Sequence, residues 1–220
     1  MNKLILVRHG ISIGNEIGVI QGNENYGLSK KGIEELKSKD YSNLINITNI
    51  YASNLIRAID TAEIIKHKIK YPKKIKINSN LREVSAGILE GNTKDYCKKY
   101  YPKEYEIYLQ RGDYNDILNA STWQENQARA ILFLSKYLQC DNQKDIVVSH
   151  AAFIRCMYNL LNNRYRNTQF DIPNGSMFEI DNPMSKSNIK DFPIAKTAIV
   201  KMIETYDNKY ITKFKDSLEE

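Results

Sequence analysis

A chain of 220 residues that is 42% hydrophobic and 26% charged has the make-up of an ordinary soluble globular protein, long enough to bury one substantial core without covalent staples. Its net charge of +6 is spread along the chain with small clusters at 70–76 and 98–103; a nucleic-acid groove calls for a denser basic stripe, whereas a small phosphate-bearing substrate suits a diffuse positive field. No apolar run approaches the ~20 residues of a membrane span, Arg8 interrupts the first apolar run too soon for a secretory signal, and the three scattered cysteines, Cys97, Cys140 and Cys156, suit neither a disulfide framework nor a zinc site. A cytoplasmic protein with no membrane and no nucleic-acid partner is expected.

In chain order, "KLILVRH" reads as a buried strand that runs straight into Arg8 and His9. "LSKKGIEELKSKDY" reads as a short helix with Ser29 near its start, and "ITNIYAS" as a second strand. The next helix, "NLIRAIDTAEIIKHKI", carries Leu55, Ala58, Ile59, Ala62 and Ile65 at helical spacing, with Ser53 as its expected N-cap. "KIKINSNLREV" looks extended, and residues 93–111 look helical around a break at Pro102. The clearest helix is "STWQENQARAILFLSKYLQ", where Thr122 and Glu125 form a T-x-x-E capping box. "KDIVVSH" is another buried strand followed directly by the helix "AAFIRCMYNLLN". "SMFEID" and "TAIVKMIETY" alternate as late strands, with a polar loop at 181–196 between them. Strands interleaved with helices predict an α/β fold of three layers, with a mostly parallel central sheet flanked by helices. No internal repeat or long linker interrupts it, so one domain is expected over residues 1–220, with a helical lid at about 92–121.

Two of these strands end alike. His9 follows the first and His150 follows "DIVVS", while the second strand leads into a helix with Arg57 in its first turns. In open α/β sheets, ligands bind outside the carboxyl ends of the strands. His9, His150, Arg8 and Arg57 can therefore converge on one crevice, and "NLREV" can add Arg82 and Glu83. Taken singly, each has a plainer explanation: a structural histidine, an arginine on a solvated helix face, a surface glutamate. Together they suit phosphoryl transfer. Arginine forks bind phosphate oxygens, a neutral imidazole can attack phosphorus, and a carboxyl group can protonate the leaving oxygen and then take a proton from water. His67 sits between lysines on a helix and reads as a surface residue. No H-x-H or H-E-x-x-H spacing supports a metal site, and no cofactor is expected.

The motifs resemble those of the histidine phosphatase superfamily, the phosphoglycerate mutase-like proteins. "LILVRHGISIGNE" (4–16) is similar to the R-H-G-x-T-x-x-N signature, with Asn15 at the asparagine. "QGNENYGLSKKG" (21–32), "YASNLIRAIDTAEII" (51–65), "NLREVSAGILEG" (80–91) and "IVVSHAAFIRCMYNLLN" (146–162) resemble the segments that follow it, in the same order. The resemblance implies a phosphoglycerate mutase-like fold and, residue by residue, His9 as the phosphorylated nucleophile. It implies that Arg8, Arg57 and His150 hold the phosphoryl oxygens and that Glu83 is the general acid. It further implies that Asn15, Gln21, Gly22 and the amide of Ala151 contact the substrate. Ile11, Ser12, Asn25, Gly27, Ala151 and Ala152 depart from the common family residues, as does "NASTW" (119–123), so the rim of the pocket differs. The stretch 80–91 is more like the phosphatase branch, which favours a phosphomonoesterase acting on a small phosphorylated metabolite. The alternatives are a cofactor-dependent phosphoglycerate mutase and a non-catalytic phospho-ligand binding module. Tyr96, Tyr100, Tyr101, Tyr105, Tyr108 and Tyr114, with Lys94, Lys98, Lys99, Lys103 and Arg111, mark the segment where specificity is expected or, more plainly, a helical cover packed on the core. A homodimer is left open.

Overall fold

A computed structural model describes residues 3–110, 114–137, 142–161 and 170–181. The first strand, β1 (Lys3–Arg8), leads through two helices, α1 (Ile13–Glu16) and α2 (Lys30–Ser38), to β2 (Asn49–Ala52). Helix α3 (Ile56–Lys68) and the short β3 (Lys76–Ile77) follow, then α4 (Lys94–Tyr100), α5 (Pro102–Leu109) and α6 (Trp123–Tyr137). The described chain finishes with β4 (Lys144–Ser149), α7 (Ala151–Leu161) and β5 (Met177–Asp181). The strands form one sheet in the order β3-β2-β4-β1-β5, parallel except for β5, which runs antiparallel to β1 along one edge.

Alternation along the strands divides the core into two layers. Ile5 and Val7 of β1, Ile50 and Ala52 of β2, and Ile146 and Val148 of β4 face one side, against Ala58, Ala62 and Ile65 of α3. Leu4, Leu6 and Val147 face the other, against Ile131 and Leu134 of α6 and Phe153, Met157 and Leu160 of α7. This is the three-layer α/β architecture expected from the sequence. Leu6 is fully buried, so Leu6→Ala costs roughly 2–5 kcal/mol.

Register brings the carboxyl ends level. Arg8 of β1 pairs with Ser149 of β4, and Ala52 of β2 with Val148. Beyond the ladder, His9 N–H donates to Ser149 O at 3.0 Å and Ser53 N–H to Val148 O at 3.0 Å. Three strand ends thus deliver His9, Ser53 and His150 in one row.

Ser29, expected near the start of α2, caps it: Ser29 Oγ accepts from Gly32 N–H at 3.1 Å. Gly32 is required by close packing, because a Cβ there would lie 2.0 Å from Ile11 O. The capping box of α6 is present in both directions, from Thr122 N–H to Glu125 Oε2 at 2.8 Å and from Glu125 N–H to Thr122 Oγ1 at 3.1 Å.

Two local expectations need correction. Ser53 does not cap α3. It turns the chain by accepting from Leu55 N–H at 3.2 Å, and the first helical amide, Ile56 N–H, is taken by the side chain of Asn25 at 2.8 Å. "KIKINSNLREV" contributes only two residues to the sheet, because Asn78 Oδ1 accepts from Asn80 N–H and starts a 3₁₀ turn over Ser79–Leu81. The strand expected in "TAIVKMIETY", nearly all of the 181–196 loop, Cys140 and Arg111 lie outside the described residues.

Candidate active site

The level strand ends open into a cavity of about 560 Å³. Arg8, His9, Asn15, Gln21, Gly22, Arg57, Glu83 and Ala151, eight of the nine site residues expected from the sequence, line it. The ninth, His150, sits behind the wall, with its ring centroid 5.1 Å from that of His9.

His9 is 3% exposed. Its Nδ1 lies 2.7 Å from Gly10 O, which can only accept, so Nδ1 carries the proton and Nε2 keeps the lone pair. Burial above all, then Arg57 and Arg8, hold its pKa well below the usual imidazole value. His150 is fully buried and its pKa is likewise held down, by burial first and then by His9, Arg57 and Arg8. Neither of its ring nitrogens has a hydrogen-bond partner among the described residues. A buried donor and acceptor left without partners point to a site that is completed by a ligand.

Arg57, on the first turn of α3, is 1% exposed rather than on a solvated face. Its guanidinium donates to Glu24 O at 2.6 Å and to Gly22 O at 2.7 Å. Burial lowers its pKa to about 10, and it stays protonated at neutral pH. Gly22 can hold this position because its φ is +45° and because a Cβ would collide with the carboxylate of Glu90. Arg8 is fixed by Nη1 donating to Ile172 O. Gly10 N–H donates to Thr61 Oγ1, tying the loop after β1 to α3.

Glu83 lies across the start of α7. Its Oε1 accepts from Val84 N–H at 2.9 Å and Phe153 N–H at 3.1 Å, and its Oε2 from Ala152 N–H at 3.4 Å. The helix N-terminus thus sets where the carboxyl group stands. Glu90, a nearby carboxylate, does not line the cavity; it accepts from Ala86 N–H at 2.8 Å and shapes the loop. Asn15 Oδ1 accepts from Ser12 N–H at 3.1 Å and from Asn174 Nδ2 at 3.2 Å, which leaves the Asn15 NH₂ for a ligand. Gln21 is held through Ser12 Oγ, which donates to Gln21 Oε1 at 2.8 Å.

A neutral histidine with a directed lone pair, two anchored arginines and a carboxyl group on one cavity, with a second histidine just behind its wall, form a set fit to bind and transfer a phosphoryl group. The family model of the histidine phosphatase superfamily, branch 1, matches residues 4–209. The chain belongs to the histidine phosphatase superfamily.

Within the superfamily, it is 26% identical to the 2,3-bisphosphoglycerate-dependent phosphoglycerate mutase of Methanococcus vannielii, over 80% of this chain and 88% of that one. Its fold matches mycobacterial glucosyl-3-phosphoglycerate phosphatase, solved with VO3, with a TM-score of 0.71 at 19% identity over 81% and 92% of the two chains. It also matches Entamoeba histolytica phosphoserine phosphatase, solved with 3-phosphoglyceric acid, with a TM-score of 0.64 at 28% identity over 81% and 90%. These relatives are phosphatases and mutases, so the superfamily assignment supports a phosphoryl-transfer enzyme.

Three residues of this superfamily member escaped the sequence reading. Asn174 Nδ2 donates to His9 O, Gly10 O and Asn15 Oδ1, each at 3.2 Å, and pins the loop after β1. Its "PNG" context signals only a turn. Arg129 of α6 donates to Asn80 O, Arg82 O and Glu83 O and lies 4.5 Å over the Phe153 ring, gripping the backbone that carries Glu83. Arg155 of α7 lines the cavity. Its sequence signal was available: one cation within "AAFIRCMYNLL". Of the tyrosines, Tyr105, Tyr108 and Tyr114 face the cavity and pack on the core, whereas Tyr96 and Tyr100 are exposed and touch each other at 4.4 Å. Lys94 also lines the cavity.

Proposed function

We propose that this protein is a phosphomonoesterase that hydrolyses a small phosphorylated metabolite through a phosphohistidine on His9. The observation that carries the proposal is the pairing of a neutral, directed His9 with the guanidinium groups of Arg8 and Arg57 on one cavity wall. In the first step, His9 Nε2 attacks phosphorus and the bond from phosphorus to the ester oxygen breaks. Glu83, in its protonated form, gives a proton to that oxygen. Arg8 and Arg57 take up the charge on the equatorial oxygens, and His150 completes its hydrogen bonding on the phosphoryl group. In the second step, water attacks phosphorus, Glu83 takes its proton, the phosphorus–nitrogen bond breaks and His9 is restored. The same groups make the burial of His9 useful, since a protonated imidazole would have no lone pair to offer.

A mutase reading has its own support in the Methanococcus vannielii relative. The two readings share the first step and differ in what takes the phosphoryl group from His9. The purified chain is expected to release inorganic phosphate from p-nitrophenyl phosphate and from at least one class in a panel of sugar phosphates, phosphoglycerates, phosphoamino acids and nucleotides. Conversion of 3-phosphoglycerate to 2-phosphoglycerate with 2,3-bisphosphoglycerate, at a rate above that of phosphate release, would replace the phosphatase reading with the mutase one. Absence of both reactions would leave a binding module.

A further inference from the structure

Glu83 sits on chain with no regular structure of its own: residues 82–85 belong to no helix or strand. A group carried on such a stretch needs its place set from outside. Four consecutive carbonyls there are taken up by side chains from two other elements. Arg129 of α6 donates through Nη1 to Asn80 O at 3.3 Å and Arg82 O at 3.0 Å, and through Nη2 to Glu83 O at 3.4 Å. Ser149 Oγ, at the end of β4 just before His150, donates to Leu81 O at 2.7 Å. Arg129 is itself held. Its Nη2 also donates to Asn126 Oδ1 at 2.5 Å, and Asn126, which is 1% exposed, is fixed by donating to Thr122 O at 2.7 Å.

The face of the same guanidinium meets α7. Its central carbon lies 4.5 Å from the centroid of the Phe153 ring, which is fully buried. The backbone amide of Phe153 donates to Glu83 Oε1 at 3.1 Å. Arg129 thus braces the backbone of Glu83 on one side and, on the other, the residue that binds its carboxyl group. One side chain does both because a guanidinium donates in its plane and stacks on its face. A point-like lysine ammonium has no such plane. Arg129 is not part of the cavity lining, so it does not touch the substrate. Its charge reaches His150, where it is the weakest of the influences that hold that pKa down. An effect of that charge on the phosphoryl group would slow every ester alike. An effect through Glu83 depends on how much the leaving oxygen needs a proton.

We propose that Arg129 is a positioning residue for proton transfer: by gripping the Glu83 backbone and Phe153 together, it sets the Glu83 carboxyl group at the leaving oxygen. This rests on the phosphomonoesterase reading, in which Glu83 is the acid.

The test combines single-turnover phosphorylation rates with amide hydrogen exchange on the full chain, in Arg129→Met, Glu83→Gln and the double variant. Arg129→Met is expected to slow phosphorylation by an alkyl phosphate about 10- to 100-fold, as for a reacting group displaced by ~1 Å, and to slow phosphorylation by p-nitrophenyl phosphate much less. In the Glu83→Gln background, Arg129→Met is expected to add little, since residues that act as one unit are not additive. Arg129→Lys is expected to show the same pattern with a smaller loss, and it decides the matter should Arg129→Met fail to fold. Exchange at the Ala152 and Phe153 amides is expected to rise in Arg129→Met, as in Glu83→Gln, while the β1 and β4 amides keep their protection. Equal slowing of both esters by Arg129→Met, a fully additive loss in the double variant, or unchanged exchange at Ala152 and Phe153 would overturn the proposal. Should neither ester phosphorylate the wild-type chain, the phosphatase reading falls and exchange alone decides. A rise confined to those amides then keeps Arg129 as the residue that places Glu83, and no rise removes it.

Discussion

The two ends of the cavity are built differently. At the phosphoryl end, the functional side chains stand on strand ends and helix starts, and most are anchored: Arg57 on two carbonyls, His9 on Gly10 O, Glu83 on three amides. At the far end, Tyr105 and Tyr108 come from the short helix α5, and Arg155 has no anchor among the described residues. Anchored groups cost no reorganisation when charge develops on phosphorus. A less constrained wall can be altered without disturbing them. Related chains are named as mutases and as phosphatases of different substrates, and under the proposed function the chemistry belongs to the anchored end and the selection to the other.

The strongest way to break this contrast is at His9. His9→Ala is expected to reduce phosphate release to background while the urea unfolding midpoint stays near that of the wild type, because the proposed mechanism gives the covalent bond to His9 alone. Substantial remaining turnover would move the chemistry elsewhere on the wall.

Glu83→Gln sharpens the division of labour within the anchored end. An alkyl phosphate has a poor leaving oxygen that needs a proton, so its single-turnover phosphorylation rate is expected to fall by about 10²–10⁴-fold. p-Nitrophenolate leaves with little help, and the same rate with p-nitrophenyl phosphate is expected to fall much less. Equal slowing of both would show that Glu83 is not the acid. Single-turnover rates are needed because the proposed mechanism also uses Glu83 as base when water attacks.

The smallest effect is on stability, and it distinguishes the ends by pH. His9 and His150 have folded-state pKa values below the ordinary 6.5, so below that pH the unfolded chain binds more protons than the folded one. Their contribution to stability is fully present above about pH 6.5 and is lost as pH falls from there towards the depressed values. Without phosphate, the unfolding free energy is expected to drop between pH 7 and 5.5 by up to about 1.4 kcal/mol per pH unit for each histidine. The slope is expected to shrink in His9→Gln and to be unchanged in Tyr105→Phe at the far end. A flat profile in the wild type would contradict two neutral buried histidines.

The same division governs what the sequence discloses. Strand ends are legible because an apolar run that stops at Arg-His or Ser-His leaves few places for those side chains, and parallel strands bring such ends level. Arg57 was legible through the strand-then-helix pattern, although nothing in its helix showed that it would be buried. Local caps were legible where both partners are close in sequence, as with Thr122 and Glu125. They were not where the partner is distant, as with Asn25 reaching the start of α3. Asn174 meets His9 across 165 positions, so only the fold joins them. Arg155 did carry a local signal, but a single cation in an apolar helix does not say which way it faces.

The most direct test of the central claim is to trap the phosphoenzyme. Brief mixing of the wild-type chain with a turned-over phosphomonoester, followed by quenching in base, is expected to leave phosphate on the protein that survives alkali and is released by acid. Mass spectrometry of the digest is expected to place it on His9, and His9→Ala is expected to carry none. Turnover with no trapped phosphate under any quench, or alkali-stable and acid-labile phosphate on another residue, would contradict the mechanism.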